Sequence, residues 1–196
     1  TIRKKLNANP VAIQIPIGSE SEFIGYIDLI TKEAFVYEED NLEPKLTEIP
    51  GDMEKLVQQY RSELIEKVAE TDDSIMERYL EDQSISESEI KVALRKAVIA
   101  MEIFPVLCGS ALKNKGVHHL LDAIVDYLPS PLEVPPIEGK DLQGNKITRS
   151  SNVEEPLSAL VFKVVTDEHV GRLVYVRVYS GSLETGEKVL NVSVNR

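Results

Sequence analysis

Apolar residues change their spacing several times along the chain, and each change of period marks an expected element. Val11, Ile13, Ile15 and Ile17 alternate with their neighbours, which predicts one half-buried strand. The runs EFIGYIDLI and EAFVYEE, parted by Thr31 and Lys32, are rich in aromatic and β-branched residues and extend that strand into a small antiparallel meander. The period then lengthens. Met53, Leu56, Val57, Tyr60, Leu64, Ile65 and Val68 fall three or four apart, predicting an amphipathic helix that starts near Asp52. A shorter helix follows in DSIMERYLE. A third, SESEIKVALRKAVIAM, opens with a capping box, Ser86 and Glu89, and lines up Ile90, Leu94, Ala97, Val98 and Met101.

The run IFPVLC, ending at Gly109, reads as a strand covered on both faces. It leads through a turn into GVHHLLDAIVDYL, a helix expected to bury Val117, Leu120, Leu121, Ile124 and Leu128. Residues 129–156 hold five of the ten prolines and no period, the signature of a linker. Three strand-like runs with glycine-bearing turns follow, too few to close a barrel. TIRKKL at the start reads as the end of a helix, and VLNVSVNR at the finish as part of a strand, so both ends are expected to be cuts.

Composition narrows the class. At 196 residues, 42% hydrophobic and 28% charged, the chain has material for two modest cores. Its 33 acidic and 22 basic residues give a net charge of −11, concentrated in residues 1–102, which carry 22 acids against 12 bases. That balance argues against a DNA-binding or anionic-membrane surface, both of which need local positive charge. Cys108 is the sole cysteine and cannot form an internal disulfide; at the end of an apolar run it reads as a small buried thiol. With no leader-like segment and no apolar run long enough for a bilayer, a cytoplasmic setting is expected.

Most motif-like strings fail on chemistry. GSLETGEK places Glu187 where a phosphate-binding loop needs lysine, and reads as a turn. DLQG, at Asp141–Gly144, lies in the proline-rich segment and reads as a β-turn rather than a switch element. NKGV at Asn114 and NKIT at Asn145 lack the aspartate of a guanine-recognising N-K-x-D element. His118 with Asp122 shares a helical face without a third ligand, and Asp167, Glu168 and His169 sit in a polar turn, so no metal site is expected. Nothing marks a catalytic residue. GSALKNKG reads on its own as a strand-to-helix turn, in which Gly109 supplies conformational freedom and Ser110 a local hydrogen bond.

PVLCGSALKNKGV followed by LLDAIVDYLPSP resembles the fifth GTPase motif and last G-domain helix of the elongation factor G family of translational GTPases. ANPVAIQIPIGSESEFIGYIDLI is similar to the start of that family's G′ insert, and EPLSALVFKVVTD with GRLVYVRVYSGSLETGEKV to the opening of its β-barrel domain II. The resemblance implies a mixed α/β and α+β fold: the G′ meander and helices joined to the last strand-turn-helix of a P-loop GTPase domain over residues 1–130, a linker over 131–155, and a partial barrel over 156–196. It implies that Gly109, Ser110, Ala111 and Leu112 form the loop whose main-chain N–H faces guanine O6. A donor there pairs with an acceptor on guanine but opposes the amino group of adenine, leaving a buried N–H unpaired with the wrong base.

The same resemblance implies GTP or GDP with Mg²⁺ in the full-length parent, no cofactor in this stretch alone, and the parent's role of moving tRNA and mRNA on the ribosome. The phosphate loop, switches and N-K-x-D element are absent, so the chain by itself is expected to be inactive. Partners implied are the ribosome, its RNA and its stalk protein, the last docking on Glu63, Glu66, Glu70 and Glu77. The alternatives are a pure ribosome-docking module and a paralogous ribosome-acting GTPase.

Overall fold

The alternating run at residues 11–17 forms two strands, where one was expected. In the computed structural model, which describes residues 2–38, 41, 43–81, 83–141 and 143–193, a bend at Ile13 separates β1 (Pro10–Ala12) from β2 (Gln14–Ile17). β1 runs parallel to β6 (Phe104–Val106), with Val11 opposite Pro105. β2 instead opens an antiparallel sheet ordered β2-β3-β4-β5, with β3 at Gly25–Asp28, β4 at Glu33–Val36 and β5 at Lys45–Thr47. Val11, Ile13, Ile15 and Ile17 are all buried as expected, but so is Gln14 just after the bend, so strict alternation fails where the strand breaks. β5 left no signal in the sequence because its one large apolar residue, Leu46, is exposed. Thr1 at the start of the expected first helix, Glu39 at the end of the third run, and residues 194–196 of the final run lie outside the described residues.

Helices α2 (Glu54–Ala69), α3 (Asp73–Leu80) and α4 (Glu87–Ile99) share a core with this meander. Val57, Leu64 and Val68 of α2 and Ile90, Ala93, Leu94 and Ala97 of α4 are buried, as three-to-four spacing requires. Arg61 ties α2 to the sheet by donating to the carbonyls of Leu29 and Ile30 at the β3–β4 turn. The N-cap of α2 is Met53 without a side-chain hydrogen bond, one residue past the expected Asp52, so that helix start rests on packing. α4 carries the complete capping box: Ser86 Oγ accepts from Glu89 N, and the Glu89 carboxylate accepts from Ser86 N at 2.9 Å. At its other end the chain turns through Met101 at φ 60°, with Met101 N donating to Val98 O and Glu102 N to Ala97 O, a Schellman closure without glycine. That turn swings Met101 out of the predicted stripe and leaves it exposed.

Two further expectations are corrected. β6 is not covered on both faces: among the described residues it pairs only with β1, and Phe104 is exposed. In α5 (Val117–Tyr127), Leu120, Leu121 and Ile124 are exposed, as is Leu128 just beyond it; Tyr127 is the helix's buried residue. The apolar stripe exists, but among the described residues it is left exposed.

The chain divides into two compact units, Thr1–Leu128 and Pro129–Arg196. In the second, the stretch read as a linker contains a hairpin, β7 (Ile137–Lys140) and β8 (Lys146–Arg149), whose turn is DLQG; Asp141 Oδ1 accepts from the N–H groups of Gln143 and Asn145. Leu142 within DLQG lies outside the described residues. β9 (Ser158–Asp167) and β10 (Gly171–Ser180) form a long antiparallel pair. The third expected strand is not formed over residues 181–193, where GSLETGEK makes a turn closed by Glu187 N to Glu184 O at 3.2 Å. A strand without a neighbour has no ladder to hold it.

Replacing fully buried Leu64 by Ala is expected to cost about 2–5 kcal/mol, and Ser86→Ala about 1 kcal/mol, both read from urea unfolding followed by helical circular dichroism. Asp72, the N-cap of α3, is held at about 2, below its ordinary 3.8, by hydrogen bonds from the Ser74 hydroxyl and Lys96. A depressed carboxyl stabilises the fold above the unfolded value and loses that contribution as pH falls through the folded one. The midpoint of unfolding should therefore decline between pH 4 and 2, less so in Asp72→Asn, as an acid titration of both proteins will register.

Candidate functional site

The turn after β6 is closed by its own main chain. Ser110 N donates to Lys115 O at 2.8 Å, Lys115 N returns to Ser110 O at 3.0 Å, and Asn114 N donates to Ala111 O at 3.2 Å. Ser110 Oγ accepts from Lys113 N at 3.4 Å, the local bond expected of a serine in this position. Two glycines make so tight a ring feasible. A Cβ on Gly109 would lie 2.7 Å from Lys115 O, and one on Gly116, at φ 80°, 2.8 Å from Cys108 O.

This geometry distributes the N–H groups unequally. The Ser110 N–H is spent inside the ring, whereas those of Ala111 and Leu112 meet no acceptor among the described residues. Gly109, Ala111 and Leu112 are exposed, Leu112 at 97%, and Ser110 is half-buried. The four residues singled out in the sequence thus come together on one solvent-facing loop, with free donors at its crest.

Sequence reasoning missed what holds the loop. Gly116 N donates to the hydroxyl of Tyr37 at 2.8 Å, across 79 residues of chain. The hydroxyl of Tyr26 hydrogen-bonds His119 Nδ1 in the first turn of α5, and its ring meets that imidazole edge-on with centroids 4.9 Å apart. Lys113 Nζ reaches Ser21 O at 3.2 Å, and Lys115 Nζ sits 5.9 Å from the centre of the Tyr37 ring. Lys113 and Lys115 are thus both engaged by the protein itself. Tyr26 and Tyr37 are 0% and 4% exposed, and burial drives the Tyr26 phenol well above its ordinary value, so it stays neutral. The sequence marked both tyrosines as sheet formers; nothing in it distinguished a hydroxyl with a long-range partner from one facing water. Beside them, burial pushes the Cys108 thiol up to about 11, which keeps it protonated and unreactive near neutrality.

The remaining candidates separate. Glu63 and Glu66 lie on α2, Glu70 is the residue that caps its C-terminal end, and Glu77 belongs to α3. Glu63 pairs with Arg3 at 3.1 Å and Glu70 with Lys67 at 2.7 Å; Glu66 and Glu77 are exposed. Asp167 Oδ1 accepts from the N–H groups of His169 and Val170, so TDEHVG is the β9–β10 turn. Among the described residues no group of three or more His, Cys, Asp or Glu side chains is arranged to hold a metal, and no helix is long and apolar enough to cross a membrane.

Residues 40–130 match the family described as Elongation factor Tu GTP binding domain, and residues 156–196 the family described as Elongation factor G domain 2. A crystal structure of a protein from Thermus thermophilus is similar over 95% of this chain, with 30% identity and a TM-score of 0.69. The chain belongs to the translational GTPases. It spans 25% of the length of that Thermus protein. The mixed α/β architecture, with antiparallel sheets and a strand-turn-helix ahead of a β pair, is that of a stretch of GTP-binding domain followed by the opening of domain II. The Gly109–Gly116 ring and α5 lie within the residues matched to the GTP-binding domain.

Gly116→Ala should lower stability by about 1–2 kcal/mol from the left-handed backbone alone, and more if Cys108 O cannot shift. Gly51→Ala, where a Cβ meets nothing within 4 Å, should stay within about 0.5 kcal/mol. Paired thermal melts of the two variants check this.

Proposed function

We propose that this chain is the part of a ribosomal translocation GTPase that reads the guanine base, through main-chain donors at residues 109–112. The observation that carries the reading is the exposed pair of N–H groups on Ala111 and Leu112, set on a ring that is otherwise closed on itself. Such a loop recognises an acceptor on a flat, neutral edge, and guanine O6 is that acceptor. Ser110 then acts by shaping the loop and Gly109 by letting the main chain approach the base plane. The phosphates and Mg²⁺ belong to polypeptide elsewhere in the parent, and the stretch 1–196 supplies neither a phosphate loop nor a residue to position water. In the parent, working in the cytoplasm on the ribosome, GTP binding and hydrolysis would drive the movement of tRNA and mRNA. The domain limits that fit this reading are 1–130 for the insert and the end of the GTPase domain, 131–155 for the connection, and 156–196 for domain II.

A second role rests on the acidic residues of the helices. Glu66 of α2 and Glu77 of α3 are exposed, with Glu63 and Glu70 beside them in surface ion pairs that are easily exchanged. This surface suits a basic face of the ribosomal stalk protein, while domain II would rest on ribosomal RNA.

Titration with a fluorescent guanine nucleotide tests the first role. The full-length parent should bind tightly and in a Mg²⁺-dependent way, and the chain alone only weakly and without regard to Mg²⁺; tight Mg²⁺-dependent binding by residues 1–196 would refute the assignment. For the second, reversing the charge at Glu63, Glu66, Glu70 and Glu77 in the parent should slow ribosome-stimulated hydrolysis, and an unchanged rate removes the docking role.

A further inference from the structure

We propose that the meander positions the base loop, through the Tyr37 hydroxyl foremost and the Lys113 ammonium second, so that both are positioning residues for base selection. The inference rests on the reading of residues 109–112 as the base-contacting loop. Because the bridge between Ser110 and Lys115 closes the ring, the loop moves as one body, and the attitude of its crest is set by its two feet. The near foot is β6, held by β1. The far foot is Gly116, the N-cap of α5, a glycine at φ 80° with no side chain of its own to fix it. Its N–H is held by Tyr37.

Tyr37 is itself fixed. Its main-chain N–H donates to Ile24 O at 2.8 Å, its ring packs near Tyr26 with centroids 6.4 Å apart, and it is 4% exposed. A phenylalanine would fill the same space, so the hydroxyl contributes geometry more than volume. Lys113, on the crest side of the ring, reaches Ser21 O, and Lys115 lies over the Tyr37 ring. Tyr26 meets His119 one turn into α5. The contacts made by Ser21, Tyr26 and Tyr37 end on residues 113–119, so the meander and the turns that flank it bear on how the far side of the loop faces its ligand. A donor aimed tens of degrees away from an acceptor loses most of its hydrogen bond, and discrimination that depends on that bond should fall with it.

The test uses the full-length protein and two nucleotides, GDP and 6-thioguanosine diphosphate, which keeps the sugar, phosphates, N1–H and 2-amino group but replaces O6 with sulfur, a weaker acceptor. The ratio of their dissociation constants reports the base loop, because loss of folded protein weakens both equally. In Tyr37→Phe the preference for GDP should fall about tenfold, with affinity for the 6-thio nucleotide retained. A ratio within about twofold of the parent's in a folded Tyr37→Phe overturns the proposal. Lys113→Ala removes only an exposed strap and is measured alongside: if Tyr37→Phe does not fold, a lowered ratio in Lys113→Ala upholds the proposal and an unchanged one overturns it. If the parent itself shows no preference for GDP, the base-loop reading fails, and this inference with it.

Discussion

One residue, Ile13, links two sheets through its main chain. Its N–H donates to Val106 O in β6 at 3.1 Å, and its carbonyl accepts from Leu29 N, just past β3, at 2.9 Å. Main-chain bonds of this kind do not depend on side-chain identity and, once buried, are costly to leave unmade. The consequence reaches the functional loop. β6 delivers the chain to Gly109, and the meander carries the tyrosines that hold Gly116 and His119, so both feet of the loop refer back to the same residue. Had residues 10–17 formed one straight strand, it would have served one sheet, and the loop would have kept only one fixed end.

Local signals were legible where local physics decides. The capping box at Ser86 and Glu89 could be read because it needs only residues three apart, and the buried stripes of α2 and α4 because each helix packs on elements within the chain. The break at Ile13 was not legible: the apolar residues alternate without a break from Val11 to Ile17, and only the presence of two partners turns one pattern into two strands. The crest of the loop was found by resemblance, but which of its N–H groups is free followed from ring closure, a matter of coordinates. Tyr26 and Tyr37 show the same limit from the other side. Their aromatic character announced a strand, while the partners that make their hydroxyls matter lie 93 and 79 residues away.

The failures at α5 and in the second unit have a common cause. Periodicity reports that a face is apolar, not what lies against it. Leu120, Leu121 and Ile124 of α5, with Leu128 beyond it, keep their stripe and remain exposed, as do Leu160, Phe162 and Val174 on the β9–β10 pair. Patches of this kind on a chain one quarter the length of its Thermus relative are the expected boundary between what this stretch covers by itself and what other polypeptide would cover. The same boundary explains β6, which reads as a central strand yet has one neighbour among the described residues.

The charge of the chain bears on the proposed division of labour at a nucleotide site. A chain of net charge −11 is a poor host for a triphosphate, whose own charge it would repel. A base edge is neutral, and a main-chain N–H can meet it without help from any cation. On the proposed reading, the small side chains of Gly109 and Ala111 would leave the backbone free to act as the reading surface, and the side chain of Leu112 is 97% exposed. The two lysines of the loop are held by the protein itself, Lys113 by Ser21 O and Lys115 over the Tyr37 ring. On the same proposed reading, selectivity for guanine and tolerance of an acidic surface would both follow from recognition by the main chain.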